Sequence, residues 1–374
     1  MKKILVWLVL AATVFSLCGC AAKPAETAQP QVPAETPAVT QTTPATQHPA
    51  ETEPVVQETA VPASEGNLFL KVSAITFSVV GESEDIYLGL VPRELVTWES
   101  DDPSVVSVEN GVLTAVGVGT TTVRATYEDQ QVAVEAGCLA QTQEELEGLD
   151  FEVLSQPKRL PPEVDMSVPC TYFDNCAIVG DSITYMMLQV ESKGNYLGNM
   201  LFMAKGGTSL NGFVLRFKNI YFQGIEMNLE DAIAASKVDR MYILIGSNDI
   251  GSEPQRELFF ENWDILLGRI REKSPDVEIV MVSNIPQSAT EYEAKQSHFI
   301  NYNNLIREYN EKMKQYAAEN GCLYLDLHCY VEDHCGRMSM NYHLDGFHPN
   351  DAGYMTWMKI MRYYAQYELE GGTL

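Results

Sequence analysis

The sequence predicts an α/β domain with a parallel sheet, preceded by a small all-β domain. Downstream of Phe173, apolar strand-like runs alternate with helical segments, an order typical of a parallel sheet covered by helices. Between Leu68 and Cys138, short β-rich runs are separated by turn residues, and no helical period competes with them. Residues 20–66 have few large apolar side chains and cannot bury enough surface to fold. We therefore expect two folded domains behind an extended N-terminal segment.

The N-terminus has the pattern of a secretory signal. Two lysines precede an apolar run from Ile4 to Leu17, which is too short to cross a bilayer comfortably. The run leads into Cys18, Gly19 and Cys20, and this ending resembles a bacterial lipobox. The resemblance implies that residues 1–19 are a lipoprotein signal peptide and that Cys20 is lipidated. An uncleaved anchor and an ordinary signal peptide are the alternatives. The prediction is an extracytoplasmic protein, lipid-anchored at the bacterial cell membrane or surface.

Composition limits the partners of the chain. Residues 20–66 are rich in Ala, Pro, Thr, Glu and Gln, which is typical of a flexible linker. The chain has 25 Lys and Arg against 51 Asp and Glu, and its formal net charge is −26. A surface of this sign repels phosphate backbones, so we expect no nucleic-acid partner. The expected contact with a membrane is the lipid on Cys20.

Cysteine usage leaves the redox state open. Of the 8 cysteines, Cys18 is expected to be lost with the signal peptide and Cys20 to be lipidated. The even number that remains permits disulfides outside the cell, whereas an anaerobic source would keep the thiols reduced. The close pairs Cys170 with Cys176 and Cys329 with Cys335 are the first to test. The six cysteines are Cys138, Cys170, Cys176, Cys322, Cys329 and Cys335.

Residues 67–138 predict a sandwich of about seven strands. Asn110-Gly111 lies between two alternating apolar runs and indicates a hairpin. The segment from Val96 to Val106, with Asn110-Gly111-Val112 and the run from Gly117 to Val123, resembles a bacterial immunoglobulin-like domain of group 2. The resemblance implies a spacer or a weak contact with cell wall or glycan, and Trp98 is expected to pack in its core. The predicted strands are Ile75–Val80, Val105–Val108, Val112–Val116, Thr120–Tyr127 and Gln131–Val134.

Residues 139–172 predict a polar connection, and residues 173–374 predict the α/β domain. Strand and helix signals alternate there, which indicates a doubly wound sheet with its site at the carboxyl ends of the strands. The predicted strands are Cys176–Val179, Met241–Ile245, Val277–Val282 and Leu323–Leu327, and the predicted helices are Ile183–Glu191, Glu257–Lys273, Asn301–Asn320 and Asp351–Glu368.

Four short motifs are expected at the carboxyl ends of the strands, and two of them directly follow a predicted strand. Gly180-Asp181-Ser182 places Ser182 at a helix start, where free N–H groups stabilise an alkoxide. Gly246-Ser247-Asn248-Asp249 places an amide donor, Asn248, at the same sheet edge. Between them, Lys205-Gly206-Gly207 gives a backbone that a substrate can approach closely, with Gly206 as the expected donor.

A fourth motif, Asp345-Gly346-Phe347-His348-Pro349, precedes the terminal helix. The spacing of three lets Asp345 accept a hydrogen bond from one ring nitrogen of His348 while the other faces Ser182. Serine needs such a base because its hydroxyl is a weak nucleophile at neutral pH. At average residue frequencies, the serine, asparagine and histidine motifs occur in this order in about one chain in ten thousand or fewer.

These motifs resemble the SGNH or GDSL hydrolase family over about Phe173 to Leu369. The resemblance implies a flavodoxin-like three-layer α/β/α fold, no cofactor and no metal. It implies Ser182 as nucleophile, His348 as base and Asp345 as the residue that orients it. The oxyanion hole would comprise the N–H groups of Ser182 and Gly206 and the side chain of Asn248. Asp181 and Asp249 are expected to be structural.

The expected function is hydrolysis of small acyl esters, chiefly O-acetyl groups on a carbohydrate or cell-wall polymer. An acyltransferase or a lipase using the same serine, and a non-catalytic glycan-binding protein, are the alternatives. A metal site is a further rival because many ligand-type side chains crowd one region, although their spacing matches no common metal motif. These side chains are Asp326, His328, Cys329, His334, Cys335, His343, Asp345 and His348.

Overall fold

The computed structural model describes residues 66–168, 170–218, 220–290 and 297–374. The predicted signal peptide, the lipidation of Cys20 and nearly all of the predicted linker lie outside these ranges. Across the described ranges, no helix is both long and apolar enough to cross a membrane.

The first part of the described chain is all β. A five-stranded sheet has the order β3-β6-β7-β1-β8, and a three-stranded sheet has the order β2-β5-β4. Asn110 and Gly111 have φ values of 49° and 83° and join β4 to β5, so the predicted hairpin is confirmed. The immunoglobulin-like assignment stays a prediction. The strands are β1 (Ala74–Val79), β2 (Ser83–Asp85), β3 (Thr97–Ser100), β4 (Val106–Glu109), β5 (Val112–Ala115), β6 (Gly119–Tyr127), β7 (Gln130–Ala140) and β8 (Arg159–Leu160).

The predicted connection 139–172 is more ordered than a polar linker. Strand β7 runs two residues past the predicted boundary at Cys138, and β8 pairs with β1 in the β sheet. Two short helices lie between these strands, α1 (Gln143–Glu147) and α2 (Phe151–Leu154). Leu146 of α1 and Leu154 of α2 are buried in one small cluster with Ala140 of β7.

The second part is α/β with a parallel sheet of order β10-β9-β13-β14-β15. Side chains alternate between the sheet faces, so that Ile178 and Ala177 belong to different buried clusters. The strands are β9 (Cys176–Gly180), β10 (Leu201–Ala204), β11 (Ile220–Phe222), β12 (Ile225–Met227), β13 (Arg240–Leu244), β14 (Glu278–Val282) and β15 (Leu323–Leu325). The helices are α3 (Ser182–Gly194), α4 (Leu210–Val214), α5 (Leu229–Ser236), α6 (Ser247–Ile250), α7 (Glu253–Glu257), α8 (Phe259–Lys273), α9 (Ser297–Glu319) and α10 (Asp351–Leu369).

Helices cover both faces of this sheet. Ile183 of α3 and Trp357 of α10 are buried in the cluster on one face. Trp263 of α8 and Ile306 of α9 are buried in the cluster on the other face. The result is the three-layer α/β/α arrangement that the family resemblance implied.

The β domain packs directly on α10. The ring of Phe69 lies 5.4 Å from that of Tyr363 and 5.5 Å from that of Tyr367, measured between centroids. The Tyr363 hydroxyl accepts a hydrogen bond from Leu70 N at 3.0 Å. Tyr330 donates to the Lys71 carbonyl at 2.9 Å. Because the apolar contact is continuous, the β domain is not joined to the α/β domain by the connection alone.

The six described cysteines are free thiols. The pairs Cys170 with Cys176 and Cys329 with Cys335, which the spacing made the first to test, are not bridged in the structure.

His334 gives a pH-dependent contribution to stability at the contact between the domains. Its side chain is buried, its Nδ1 lies 3.1 Å from Ser78 Oγ, and burial lowers its pKa to about 4. The unfolded chain therefore binds a proton before the folded chain does, and the free energy of unfolding falls as the pH falls from about 6.5 to about 4. Between pH 7 and 4.5 we expect the wild type to lose about 2 kcal/mol more than the His334→Asn variant. Urea unfolding at both pH values measures this, and parallel losses would refute it.

Candidate active site

Ser182 stands where β9 passes into α3. Asp181 caps the helix, accepting a hydrogen bond from Ile183 N at 2.9 Å, and Ser182 is the first helical residue. Its N–H therefore has no acceptor within the helix. Gly180 is required before it, because a Cβ there would come within 2.1 Å of Thr184 Oγ1 and 2.6 Å of the Leu244 carbonyl oxygen.

The structure brings Ser182, His348 and Asp345 into one chain of hydrogen bonds. His348 Nε2 lies 2.9 Å from Ser182 Oγ, and His348 Nδ1 lies 2.8 Å from Asp345 Oδ2. An ionised carboxylate can only accept, so Nδ1 carries the ring proton and leaves Nε2 as an acceptor for the serine hydroxyl. This is the hydrogen-bonding order that activates a serine.

Asp345 is ionised over the whole neutral range. Burial acts to raise the pKa of its carboxyl, but hydrogen bonds from the His348 backbone and ring and from Phe347 N outweigh it and lower the pKa to about 2. Oδ1 accepts from the backbone N–H groups of Phe347 at 3.0 Å and His348 at 2.8 Å. One carboxylate thus fixes both the backbone and the ring of His348.

The loop that carries His348 is tied to the rest of the domain. Leu344 N donates to the His348 carbonyl at 2.8 Å. Asn350 caps α10 by accepting from Gly353 N at 3.0 Å. Tyr354, one turn into α10, donates to the Ile183 carbonyl at 2.9 Å and so joins the histidine side of the site to the serine helix. These contacts hold the imidazole in place before a substrate binds.

The predicted oxyanion donors lie around Ser182, but Asn248 is already engaged. A Cβ built on Gly206 would lie 3.9 Å from Ser182 Cβ, so the two backbones are close. Asn248 Nδ2 donates to the Thr208 carbonyl at 2.8 Å and to Asp181 Oδ2 at 3.1 Å. Both amide protons are thus directed to protein acceptors, and an oxyanion would have to draw one of them away or share it.

Asp181 and Asp249 are buried carboxylates behind the site. Asp181 accepts from Ser247 Oγ at 2.5 Å, and burial raises its pKa. Asp249 accepts from the N–H groups of Leu210 at 2.8 Å and Asn211 at 3.0 Å, which begin α4, and burial raises its pKa to about 6. Their structural contacts agree with the prediction.

Two residues that make hydrogen bonds in the site were not predicted to do so. Ser247 donates to Asp181, and the Thr208 carbonyl accepts from Asn248. Ser247 lies inside the predicted asparagine motif, and its position next to Asn248 was an available signal. Thr208 acts through its main-chain carbonyl, which any residue supplies, so no side-chain pattern could have identified it.

The side chains that suggested a rival metal site do not converge. His328 is buried, with Nδ1 2.9 Å from the Asn284 carbonyl oxygen. His334 contacts Ser78, and His343 Nδ1 accepts from Gly346 N at 3.0 Å. Within the part of the chain that the structure describes, no group of three or more His, Cys, Asp or Glu side chains could hold a metal ion.

The fold, and the arrangement of Ser182, His348 and Asp345 in one chain of hydrogen bonds, are typical of the class of hydrolases that use a serine nucleophile. Residues 178–355 match the GDSL-like Lipase/Acylhydrolase family. This part of the chain is a GDSL-like lipase/acylhydrolase domain, and the prediction of an ester hydrolase is confirmed.

Three solved structures illustrate the similarity. A protein from Streptococcus pneumonia, provisionally named a platelet activating factor, has 21% identity over 54% of this chain and 86% of its own, with a TM-score of 0.42. A GDSL-like lipase from Bacteroides thetaiotaomicron has 15% identity over 54% and 91%, with a TM-score of 0.40. A catalytic mutant of an acetylxylan esterase from Geobacillus stearothermophilus has 16% identity over 53% and 94%, with a TM-score of 0.34. These similarities assign no substrate to this chain. Comparison with curated proteins finds no match.

Replacing Asp345 tests its effect on the histidine. We expect the Asp345→Asn variant to lower kcat by about 10- to 100-fold, because an amide can present its N–H group to Nδ1 and favour the wrong ring tautomer. The loss should be smaller than that for a buried carboxylate, since the Asp345 side chain is 51% exposed and water can substitute in part. Steady-state kinetics with a chromogenic ester measures it. An unchanged kcat would show that Asp345 does not orient His348.

Proposed function

We propose that the protein is an extracytoplasmic, lipid-anchored serine esterase that removes small acyl groups, chiefly O-acetyl groups, from a carbohydrate or cell-wall polymer. The observation that carries the esterase mechanism is the hydrogen-bonded series Ser182 Oγ, His348 Nε2, His348 Nδ1 and Asp345 Oδ2, with links of 2.9 Å and 2.8 Å. The anchor and the location follow from the N-terminal sequence.

In the proposed mechanism, Ser182 Oγ attacks the ester carbonyl carbon while His348 Nε2 takes the hydroxyl proton. The tetrahedral intermediate collapses as the bond to the leaving alcohol breaks, and His348 returns the proton to that alcohol. Water then attacks the acyl-serine, with His348 again accepting a proton. The free acid leaves, and Ser182 recovers its hydroxyl proton.

The negative oxygen of each tetrahedral intermediate would be bound by three donors. Ser182 N–H is a free helix-start donor, and the Gly206 backbone lies beside it. Asn248 would contribute an amide proton now directed to Asp181 or to the Thr208 carbonyl. The two backbone donors would cost little reorganisation when charge develops, whereas Asn248 would have to redirect or share an amide proton.

Two features support a large substrate that approaches the site from solvent. Ser182 and His348 are both partly exposed, and Asp345 is open to solvent. The predicted linker, residues 20–66, is long enough to hold this site away from the membrane and near a polymer. A small acyl group on a bulky alcohol fits an exposed site of this kind.

A panel of esters tests the proposal. Detergent-solubilised full-length protein should cleave a chromogenic acetate with a kcat/KM at least about 10-fold above that for a decanoate, and it should release acetate from an acetylated polysaccharide. A preference for the decanoate would indicate a lipase. Transfer to an added alcohol faster than hydrolysis would indicate an acyltransferase. No turnover of any ester would refute the esterase assignment.

A further inference from the structure

A groove of about 470 Å³ lies between α3, α10 and the loop that carries His348, and we call it the α3–α10 groove. Met186 and Val190 line it from α3, Leu344 and Pro349 line it from the loop, and Ala352 lines it from the first turn of α10. Its volume lies in the range of sites that bind small organic ligands. The proposed mechanism of ester cleavage gives this groove no role.

The groove begins beside Ser182. Met186 and Val190 follow Ser182 on α3 at intervals of four residues, which places the three side chains along one face of the helix. Helical side chains lean toward the N-terminus of their helix, so Met186 lies over the turn that carries the serine. Four residues of helix span about 6 Å, so the apolar lining starts about one turn from the nucleophile.

The other wall of the groove comes from the residues around His348. Pro349 follows the histidine directly, and Leu344 directly precedes Asp345. Leu344 N donates to the His348 carbonyl at 2.8 Å, so the position of this wall is fixed relative to the histidine. The Leu344 side chain is 59% exposed and is available to a ligand. The groove therefore borders the histidine side of the site as well as the serine helix.

The position of the histidine decides which part of an ester this groove suits. His348 Nε2 has to return a proton to the leaving oxygen, so that oxygen must come within hydrogen-bond reach of the ring. The carbonyl oxygen of the ester would instead face the donors at Gly206 and Asn248. An acetyl group extends only one methyl beyond the carbonyl carbon and needs no groove of this size. The groove is thus placed for the alcohol part of the ester.

The lining suits a neutral alcohol that has one apolar face. The side chains nearest the site, Met186 and Leu344, are apolar. The two charged side chains that line the groove, Lys193 and Asp351, form an ion pair that joins α3 to the start of α10. Gln189 is exposed at the edge, and its amide can bind hydroxyl groups. A sugar ring has a C–H face and an edge of hydroxyl groups, whereas a phospholipid brings a phosphate that a chain of net charge −26 repels.

We propose that the α3–α10 groove binds the neutral sugar unit that carries the acyl group, and so selects the leaving alcohol. The C–H face of the ring packs on Met186 and Leu344, which removes apolar surface of both from water. The hydroxyl groups of the ring face Gln189 and solvent at the edge of the groove. This inference rests on the proposed esterase function and adds to it the place where the alcohol part of the substrate binds.

Filling the groove in the full-length protein tests this assignment. Ala352→Trp brings an indole into the groove from an exposed helix position, and Ala235→Trp makes the same change at an exposed position of α5 outside the groove. The substrates are a monoacetylated methyl glucoside and ethyl acetate, which share the acyl group and differ in the alcohol. The kcat/KM for the sugar ester relative to that for ethyl acetate should fall by about 10-fold or more in Ala352→Trp, because the indole occupies the space of the ring. This ratio should be unchanged in Ala235→Trp.

Leu344→Ala tests the same contact without adding bulk. Because the Leu344 side chain is exposed, its truncation should leave the fold intact. The loss of its apolar contact with the ring should lower the ratio for the sugar ester by about 3-fold. A ratio that is unchanged in both Leu344→Ala and Ala352→Trp would overturn the proposal.

A second pair of substrates tests the acyl chain as the occupant of the groove. Ethyl acetate and ethyl decanoate share the alcohol and differ in the acyl group. If Ala352→Trp lowered the activity on ethyl decanoate relative to ethyl acetate and left the ratio for the sugar ester unchanged, the groove would bind the acyl chain and the proposal would be wrong. A wild type that cleaved none of these esters would refute the esterase function itself, so the two failures are distinguishable.

Discussion

The Ser182→Ala variant should lose at least about 10³-fold in kcat against a chromogenic acetate ester. The hydroxyl 2.9 Å from His348 Nε2 is the only group of this chain that the proposed mechanism assigns to attack on the acyl carbon. Without it, hydrolysis must use water, and the remaining acceleration comes from the oxyanion donors and from binding alone. Steady-state kinetics on wild type and variant gives the ratio directly.

Ser192→Ala is the matched control for this experiment. Ser192 lies on the same helix and is exposed, with its hydroxyl donating to the Gln189 carbonyl at 2.9 Å. Its replacement should leave kcat within about 2-fold of wild type, since Ser192 lies almost three helical turns beyond Ser182. If Ser182→Ala retained wild-type turnover while remaining folded, the serine mechanism would be wrong.

The second large effect is expected at Asn248. Asn248→Ala should lower kcat by about 10² to 10³ with little change in KM, because an oxyanion donor acts mainly in the transition state. The finding that Nδ2 contacts Asp181 and the Thr208 carbonyl sharpens the prediction. Removing the amide also leaves those two acceptors short of a donor, so the variant should be moderately less stable.

Two measurements separate these contributions. Thermal unfolding reports the lost structural bonds, and kcat at a temperature well below the transition reports the lost oxyanion donor. Asn199→Ala, at an exposed position, should change neither. A variant with lowered Tm but unchanged kcat would show that Asn248 only supports Asp181 and Thr208.

The sequence predicted most of the sheet and its site because the relevant signals are local. Strands β9, β13 and β14 contain continuous apolar runs, and their observed limits lie within one residue of the predicted ones. Strand β10 was missed, since its four residues Leu201–Ala204 show no alternation that distinguishes a strand from a helix. The β11–β12 hairpin was missed for a similar reason, because each strand has only three residues.

Features that depend on distant contacts were beyond the sequence. The packing of Phe69 on Tyr363 joins residues almost three hundred positions apart, and neither aromatic signals its partner. In the site, the motifs identified Ser182, His348 and Asp345, because the serine and the histidine each follow a recognisable turn. The direction of the Asn248 amide was not predictable, since it depends on where the Thr208 carbonyl and the Asp181 carboxylate lie.

The most direct test of the account is to find where the acyl group resides during turnover. Full-length protein mixed with an acetate ester, quenched in acid within one turnover and digested, should contain one acetyl group on the peptide that includes Ser182. The same experiment with the His348→Gln variant should show almost none. Acetyl on a different residue, or active hydrolysis by wild type with no acetyl-enzyme under any quench time, would contradict the assignment of Ser182 as the nucleophile.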